Sequence, residues 1–256
     1  MAAAAPLPVL SGWQNLTAEG AVPLRCWWAR PEGRAPRAAV VVLPEVFGLN
    51  SWVRSVADRL AAAGYAALAL PIFARTAPDL DVSYDEAGLA AGRLHRDQVT
   101  AADSLADAGR AIAWLQAQPG LEQRPVGCVG FCFGGHLALL VASLDGVAAT
   151  CDFYGARVSV FRPGGGPPSL EVVPRIPGHL LCFCGAEDPL MPPEEQQAIA
   201  AALEADGRRH PERLRRLVVA PGAGHGYMCE HRGDFAPEAA AEGWRQMLEL
   251  FAERLG

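Results

Sequence analysis

Short apolar runs alternate with amphipathic stretches along the whole chain. Residues 38–43 (Ala-Ala-Val-Val-Val-Leu) hold no polar side chain and stop at Pro44, which suits a strand buried on both faces. Residues 65–70, closed by Pro71, repeat that pattern. Further strands are predicted at 22–29, 125–130, 147–154, 180–184 and 214–219. Residues 51–63 place Trp52, Val53, Val56 and Leu60 on one helical face, and Gly64 stops the helix. Other helices are predicted at 97–118, ended by Pro119-Gly120, and at 134–143, 194–206 and 237–255. Residues 71–95 read as a loop with a short helix, placed where a lid would sit. Residues 164–168 (Gly-Gly-Gly-Pro-Pro) read as a flexible connection, and 1–21 as a loosely packed N-terminal segment. Strand–helix alternation without a composition shift or repeat predicts a single α/β domain over 1–256. It has a mostly parallel central sheet with helices on both faces.

Composition narrows the chemistry. Of 256 residues, 51% are apolar and 20% charged, so the chain can bury a large core and does not read as disordered. The net charge is −6, which argues against a nucleic-acid partner. All 22 basic residues are arginine. Without lysine there is no Schiff-base, pyridoxal-phosphate or phosphate-loop lysine chemistry. Seven cysteines, an odd number without small-domain spacing, fit a reduced, intracellular chain. Residues 1–10 carry Pro6 and Pro8 and no positive charge, unlike a signal peptide, and no apolar run reaches membrane-spanning length. The expectation is a cytoplasmic monomer that needs neither membrane nor nucleic acid.

In open α/β sheets, functional side chains gather just past the carboxyl ends of strands. Gly130-Phe131-Cys132-Phe133-Gly134 follows a predicted strand and opens a helix. This is the nucleophile-elbow pattern G-x-S-x-G with cysteine in place of serine. A helix N-terminus favours the thiolate there. Asp188 lies 56 residues on, and His225 a further 37, each just past a predicted strand. Nucleophile, acid, histidine is the α/β-hydrolase order. In such a triad the histidine takes the thiol proton, and the aspartate fixes its tautomer and supports the imidazolium.

These segments resemble the dienelactone hydrolase family. The resemblance covers residues 38–255. It rests on Pro44-Glu45-Val46-Phe47-Gly48-Leu49-Asn50, Ile72-Phe73-Ala74-Arg75, the Cys132 elbow, Gly185-x-x-Asp188 and Gly224-His225-Gly226. It implies hydrolysis of an ester or lactone through Cys132, His225 and Asp188, with no cofactor or metal. It implies that Glu45 contacts the resting thiol and is displaced by substrate. It also implies an oxyanion hole from the backbone N–H groups of Phe133 and Val46. Arg75 matches an arginine that grips a substrate carboxylate. The dienelactone-specific members carry a second arginine four positions after the histidine. Cys229 stands there instead, and Arg232 is the nearest arginine. That departure bears on the substrate more than on the reaction type.

Phe47, Phe73, Phe133 and Tyr227 flank these residues and suit an apolar pocket wall, with Phe47 and Tyr227 as substrate contacts. Cys182 and Cys184 share one strand face near His179, too few ligands for a metal site. Cys26, Cys128 and Cys151 read as core, as do His136, Trp27, Trp28, Trp52 and Trp114, while Cys229 and His231 follow the histidine. Two other functions stay open. One is a general carboxylesterase, thioesterase or acyl transferase. The other is a thiol-based ligand-binding or redox-sensing protein, since a cysteine at a helix start is prone to oxidation.

Overall fold

The computed structural model describes residues 6–256, so residues 1–5 of the expected loose N-terminal segment lie outside the described chain. The strands are β1 (Val9–Leu16), β2 (Leu24–Pro31), β3 (Ala39–Leu43), β4 (Ala66–Ala69), β5 (Val126–Phe131), β6 (Val147–Phe153), β7 (His179–Gly185) and β8 (Arg215–Ala220). They form one sheet in the order β1-β2-β4-β3-β5-β6-β7-β8. Strands β3 to β8 are mutually parallel, while β1 and β2 are antiparallel additions at one edge. Every residue of β3, β4 and β5 is buried, as their unbroken apolar runs require.

The helices are α1 (Ser51–Ala62), α2 (Glu86–Arg96), α3 (Ala101–Gln116), α4 (Phe133–Val141), α5 (Pro193–Arg209) and α6 (Pro237–Arg254). Asn50, Asp85 and Thr100 cap α1, α2 and α3, each accepting a backbone N–H three residues on. The Thr100 cap corrects the sequence reading: the helix expected from 97 begins at 101, and Asp97 instead closes α2. Residues 169–175 form a 3-10 turn (Ser169–Arg175) that sequence periodicity did not announce.

The segment expected to be loose carries β1, which pairs with β2 along its full length. Its exposed and half-buried positions interleave, so it offers no apolar run to read. Trp13 of β1 packs edge-on against Trp27, with their centroids 5.3 Å apart, and Arg25 lies over the Trp13 ring.

Strand β3 pairs with β4 on one side and β5 on the other. Successive connections therefore leave in opposite directions at β3 and β5, and a crevice opens beyond their carboxyl ends. Glu45 and Val46 follow β3 there, and Cys132 and Phe133 follow β5.

Candidate active site

Strand β5 turns into α4 through one residue. Cys132 sits there at φ 55° and ψ −118°, a backbone that L side chains rarely adopt. Two hydrogen bonds hold it: its N–H donates to Phe153 O at 3.0 Å, and its C=O accepts from His136 N at 3.1 Å. The flanking glycines are steric requirements. A Cβ on Gly130 would lie 1.9 Å from Gly134 O, and one on Gly134 would lie 2.4 Å from Leu43 O and Pro44 O. The turn thus lifts Sγ out of the sheet, and Cys132 is half-buried.

His225, in the loop after β8, places Nε2 3.0 Å from Cys132 Sγ. Its Nδ1 lies 2.8 Å from Asp188 Oδ2, and the other Asp188 oxygen accepts the Leu190 N–H at 2.8 Å. Both Asp188 oxygens are therefore engaged, which fixes the carboxylate plane. The Tyr154 ring packs edge-on against the imidazole at 5.2 Å. Burial pulls the His225 pKa down, but Cys132 and Asp188 outweigh it and push it up to about 10. The arrangement favours an imidazolium facing sulfur.

Cys132 opens onto a cavity of about 620 Å³ bordered by Val46, Phe47, Leu190, His225 and Arg232. A second cavity of about 330 Å³ is bordered by Val46, Cys132 and Phe133. Among the described residues, neither the Phe133 nor the Val46 backbone N–H donates to a protein acceptor. Phe133 is the first residue of α4, where the N–H has no partner within its own helix. Both donors are thus free at the rim that Sγ shares.

Glu45 is fully buried, and burial raises its pKa, with Arg232 and His225 opposing. Its Oε1 accepts from Arg232 Nη1 at 3.0 Å, while Oε2 has no partner. The resemblance implied contact with the resting thiol. The structure gives Glu45 to Arg232 instead and leaves Cys132 to His225.

The sequence profile of the dienelactone hydrolase family matches residues 24–255. A Synechocystis protein named "Putative carboxymethylenebutenolidase" is 36% identical over 94% of both chains. The chain belongs to the dienelactone hydrolase family. Among solved structures, a dienelactone hydrolase-like promiscuous phosphotriesterase from metagenomic libraries is 28% identical, with a TM-score of 0.78 over 97% of this chain and 99% of that one. A Klebsiella pneumoniae "Putative Dienelactone Hydrolase" shares the α/β-hydrolase fold at 24% identity, with a TM-score of 0.84 over 96% and 99% of the two chains. This family member is accordingly a hydrolase, of the carboxylic ester type.

Not every residue singled out by family resemblance reaches the cleft. Arg75 is turned away: its Nε lies 3.1 Å from Asp103 and its Nη1 2.5 Å from Asp107, in a separate small crevice. Asp103 and Asp107 hold it there, outside the lining of the cleft. Tyr227 is buried behind the site, packed edge-on against Tyr154 at 5.4 Å, and does not border the cavity. Phe47 does border it, its ring tilted against Tyr84 with centroids 4.5 Å apart. Cys229 is buried, its thiol pushed up to about 12 chiefly by burial, while Arg232 from the same loop reaches the cavity wall.

His136 is buried against Ala156 O and Ser169 Oγ. Nδ1 of His179 accepts the Leu214 N–H, and among the described residues no group of metal-ligating side chains is assembled. Among those residues, too, no helix is long and apolar enough to cross a membrane. The sequence reading missed Arg93 and Arg96 of α2 and Arg157 after β6, all of which border the cleft. Two arginines three apart were the available signal. The short helix expected within 71–95 is α2, but the reading attached no role to its arginines. That segment is no free flap: α2 rests on the 45–48 loop, where a Cβ on Gly92 would lie 2.1 Å from Val46 O.

Proposed function

We propose that this chain hydrolyses esters or lactones of the dienelactone type through Cys132, His225 and Asp188, by way of a thioester. The observation that carries the reading is the unbroken run Sγ–Nε2 (3.0 Å), Nδ1–Oδ2 (2.8 Å) at the floor of an open cavity. The Cys132 thiolate attacks the carbonyl carbon and a C–S bond forms. The displaced electron pair goes to the carbonyl oxygen, which the Phe133 and Val46 amides receive. Collapse breaks the bond to the alcohol oxygen, and the His225 imidazolium protonates that oxygen. Water then attacks the thioester while His225 takes its proton, and the thiolate leaves. Asp188 holds the tautomer throughout. Arg232 keeps Glu45 off the thiol. No cofactor enters. One domain, acting as a monomer in the cytoplasm on a small molecule, suffices for this chemistry.

The redox-sensing alternative has less support. A sensor of the disulfide kind needs a second reachable thiol, and the other six cysteines are all buried. The test is turnover of dienelactone and of a neutral phenyl ester by wild type and Cys132→Ala, with mass spectrometry of rapidly quenched protein. Expected is a loss of about 10³-fold or more in kcat/KM in the variant and an acyl adduct on Cys132 in wild type. Hydrolysis that survives in Cys132→Ala overturns the reading.

A further inference from the structure

The space above Cys132 is two chambers that share Arg93 and Arg96 and differ in the other charges on their walls. The larger lies on the His225 side and carries Glu187 and Asp234 on its wall. Its own arginine, Arg232, is already bonded to Glu45 and Asp234. The smaller lies over the start of α4, between Phe133, Ala156, Arg157 and Phe161. Arg93, Arg96, Cys132 and Leu190 border both, so the nucleophile marks the waist. Among the described residues, Arg93 and Arg157 make no ion pair, and Arg96 pairs only with its neighbour Asp97. The Arg157 guanidinium rests 5.1 Å from the centre of the Phe161 ring. Asp97, the carboxylate on the α4 chamber's wall, is the one paired with Arg96, so that chamber combines apolar walls with the unpaired charges of Arg93 and Arg157, in a chain whose net charge is −6.

The proposed mechanism, on which this inference rests, assigns the chambers. His225 protonates the leaving alcohol, so the alcohol half lies in the His225 chamber. The acyl half trails from the carbon bonded to sulfur into the α4 chamber. A small lactone ring keeps both halves together and leaves one chamber unused, whereas an open-chain ester fills both. We infer that this enzyme's preferred substrates are open-chain half-esters of dicarboxylic acids. The acyl half carries the free carboxylate, read by Arg93 and Arg157, and the alcohol half is uncharged.

The test compares three phenyl esters: monophenyl glutarate, phenyl valerate and 4-carboxyphenyl valerate. Expected is a kcat/KM order of glutarate half-ester, then valerate, then 4-carboxyphenyl valerate, with the first advantage carried by KM and shrinking at high salt. Arg93→Gln and Arg157→Gln should each lower the glutarate-to-valerate ratio by roughly fivefold, as for half-exposed charge pairs. Arg175→Gln, at an exposed position of the 3-10 turn, should leave that ratio where it is. A ratio at or below one, or a ratio unchanged in the Arg93→Gln/Arg157→Gln double variant, overturns this inference alone, provided hydrolysis still depends on Cys132. Absence of hydrolysis of all three esters by protein that still turns over dienelactone overturns this inference alone, and absence of both overturns the inference and the underlying mechanism together.

Discussion

Two arginines pair with buried carboxylates at opposite ends of the sheet, Arg215 at the amino end of β8 and Arg232 at the cleft, and the two pairs are built differently. Arg215, at the start of β8, has a fully buried side chain. It donates to Asp206 of α5 at 2.7 Å and to the carbonyls of Gly178 and Ile176 at 2.5 and 2.7 Å. Arg232, beside the cleft, donates to one oxygen of Glu45 at 3.0 Å and more distantly to Asp234 at 3.4 Å. One oxygen of each buried carboxylate lacks a partner, so the contrast lies on the arginine side. A guanidinium spread over the Asp206 carboxylate and the carbonyls of the segment before β7 works as a staple. One held by a single strong bond at a cavity wall is free to exchange partners. Ion-pair chemistry is the same in both, and the number of supporting acceptors separates structure from mechanism.

That contrast can be broken in order of expected effect. Arg215→Leu strands the Asp206 charge and should lower unfolding free energy by about 3–5 kcal/mol in denaturant titration. Turnover per folded molecule should stay within about twofold, because only the staple is lost. A comparable loss of turnover would show that the staple also positions the site.

Asp152, at the carboxyl end of β6, is another buried carboxylate and has no ion-pair partner among the described residues. Burial pushes it up to about 7, against the Gly155 N–H that favours its charged form. Unfolded aspartate titrates near 3.9, so the folded state retains a proton between about pH 4 and 7 that the unfolded chain has shed. The resulting stability is fully present below about pH 4 and is lost as pH rises through 7. Asp152→Asn removes the titration. Wild type should therefore lose on the order of 3 kcal/mol relative to the variant between pH 4 and 7. Parallel stability–pH curves would refute this.

Glu45→Gln should cost about tenfold in kcat/KM, about 1.4 kcal/mol, while the melting temperature moves by only a few degrees. The reverse pattern would make Glu45 a second staple. The smallest effect is expected for Arg75→Gln. Its partners are partly exposed, so stability should change by less than about 1 kcal/mol, and kcat/KM by less than about threefold. A larger rise in KM would return Arg75 to substrate binding.

The sequence was most legible where one physical demand acted alone. Continuous burial on two faces made β3 and β4 readable, and the steric needs of the elbow wrote Gly130 and Gly134 around Cys132. Residues 188 and 225 were readable because strand ends are where loops can aim side chains. Edge strand β1 escaped because one face meets solvent and its apolar positions are spaced. The partner choices of arginines also escaped. Arg75 sits where the family pattern puts it, yet Asp103 and Asp107, one helical turn apart on α3, capture it. Such captures depend on two elements meeting in space, and no local pattern records them.

The distribution of sulfur has a practical consequence. Six of seven thiols are buried, and only Cys132 is partly open to solvent. A haloacetamide added to native protein should therefore incorporate a single equivalent, and only in molecules whose cleft is correctly assembled. The stoichiometry of that label counts competent molecules in any preparation, so a rate per milligram becomes a rate per working site. The same reagent after denaturation supplies the total.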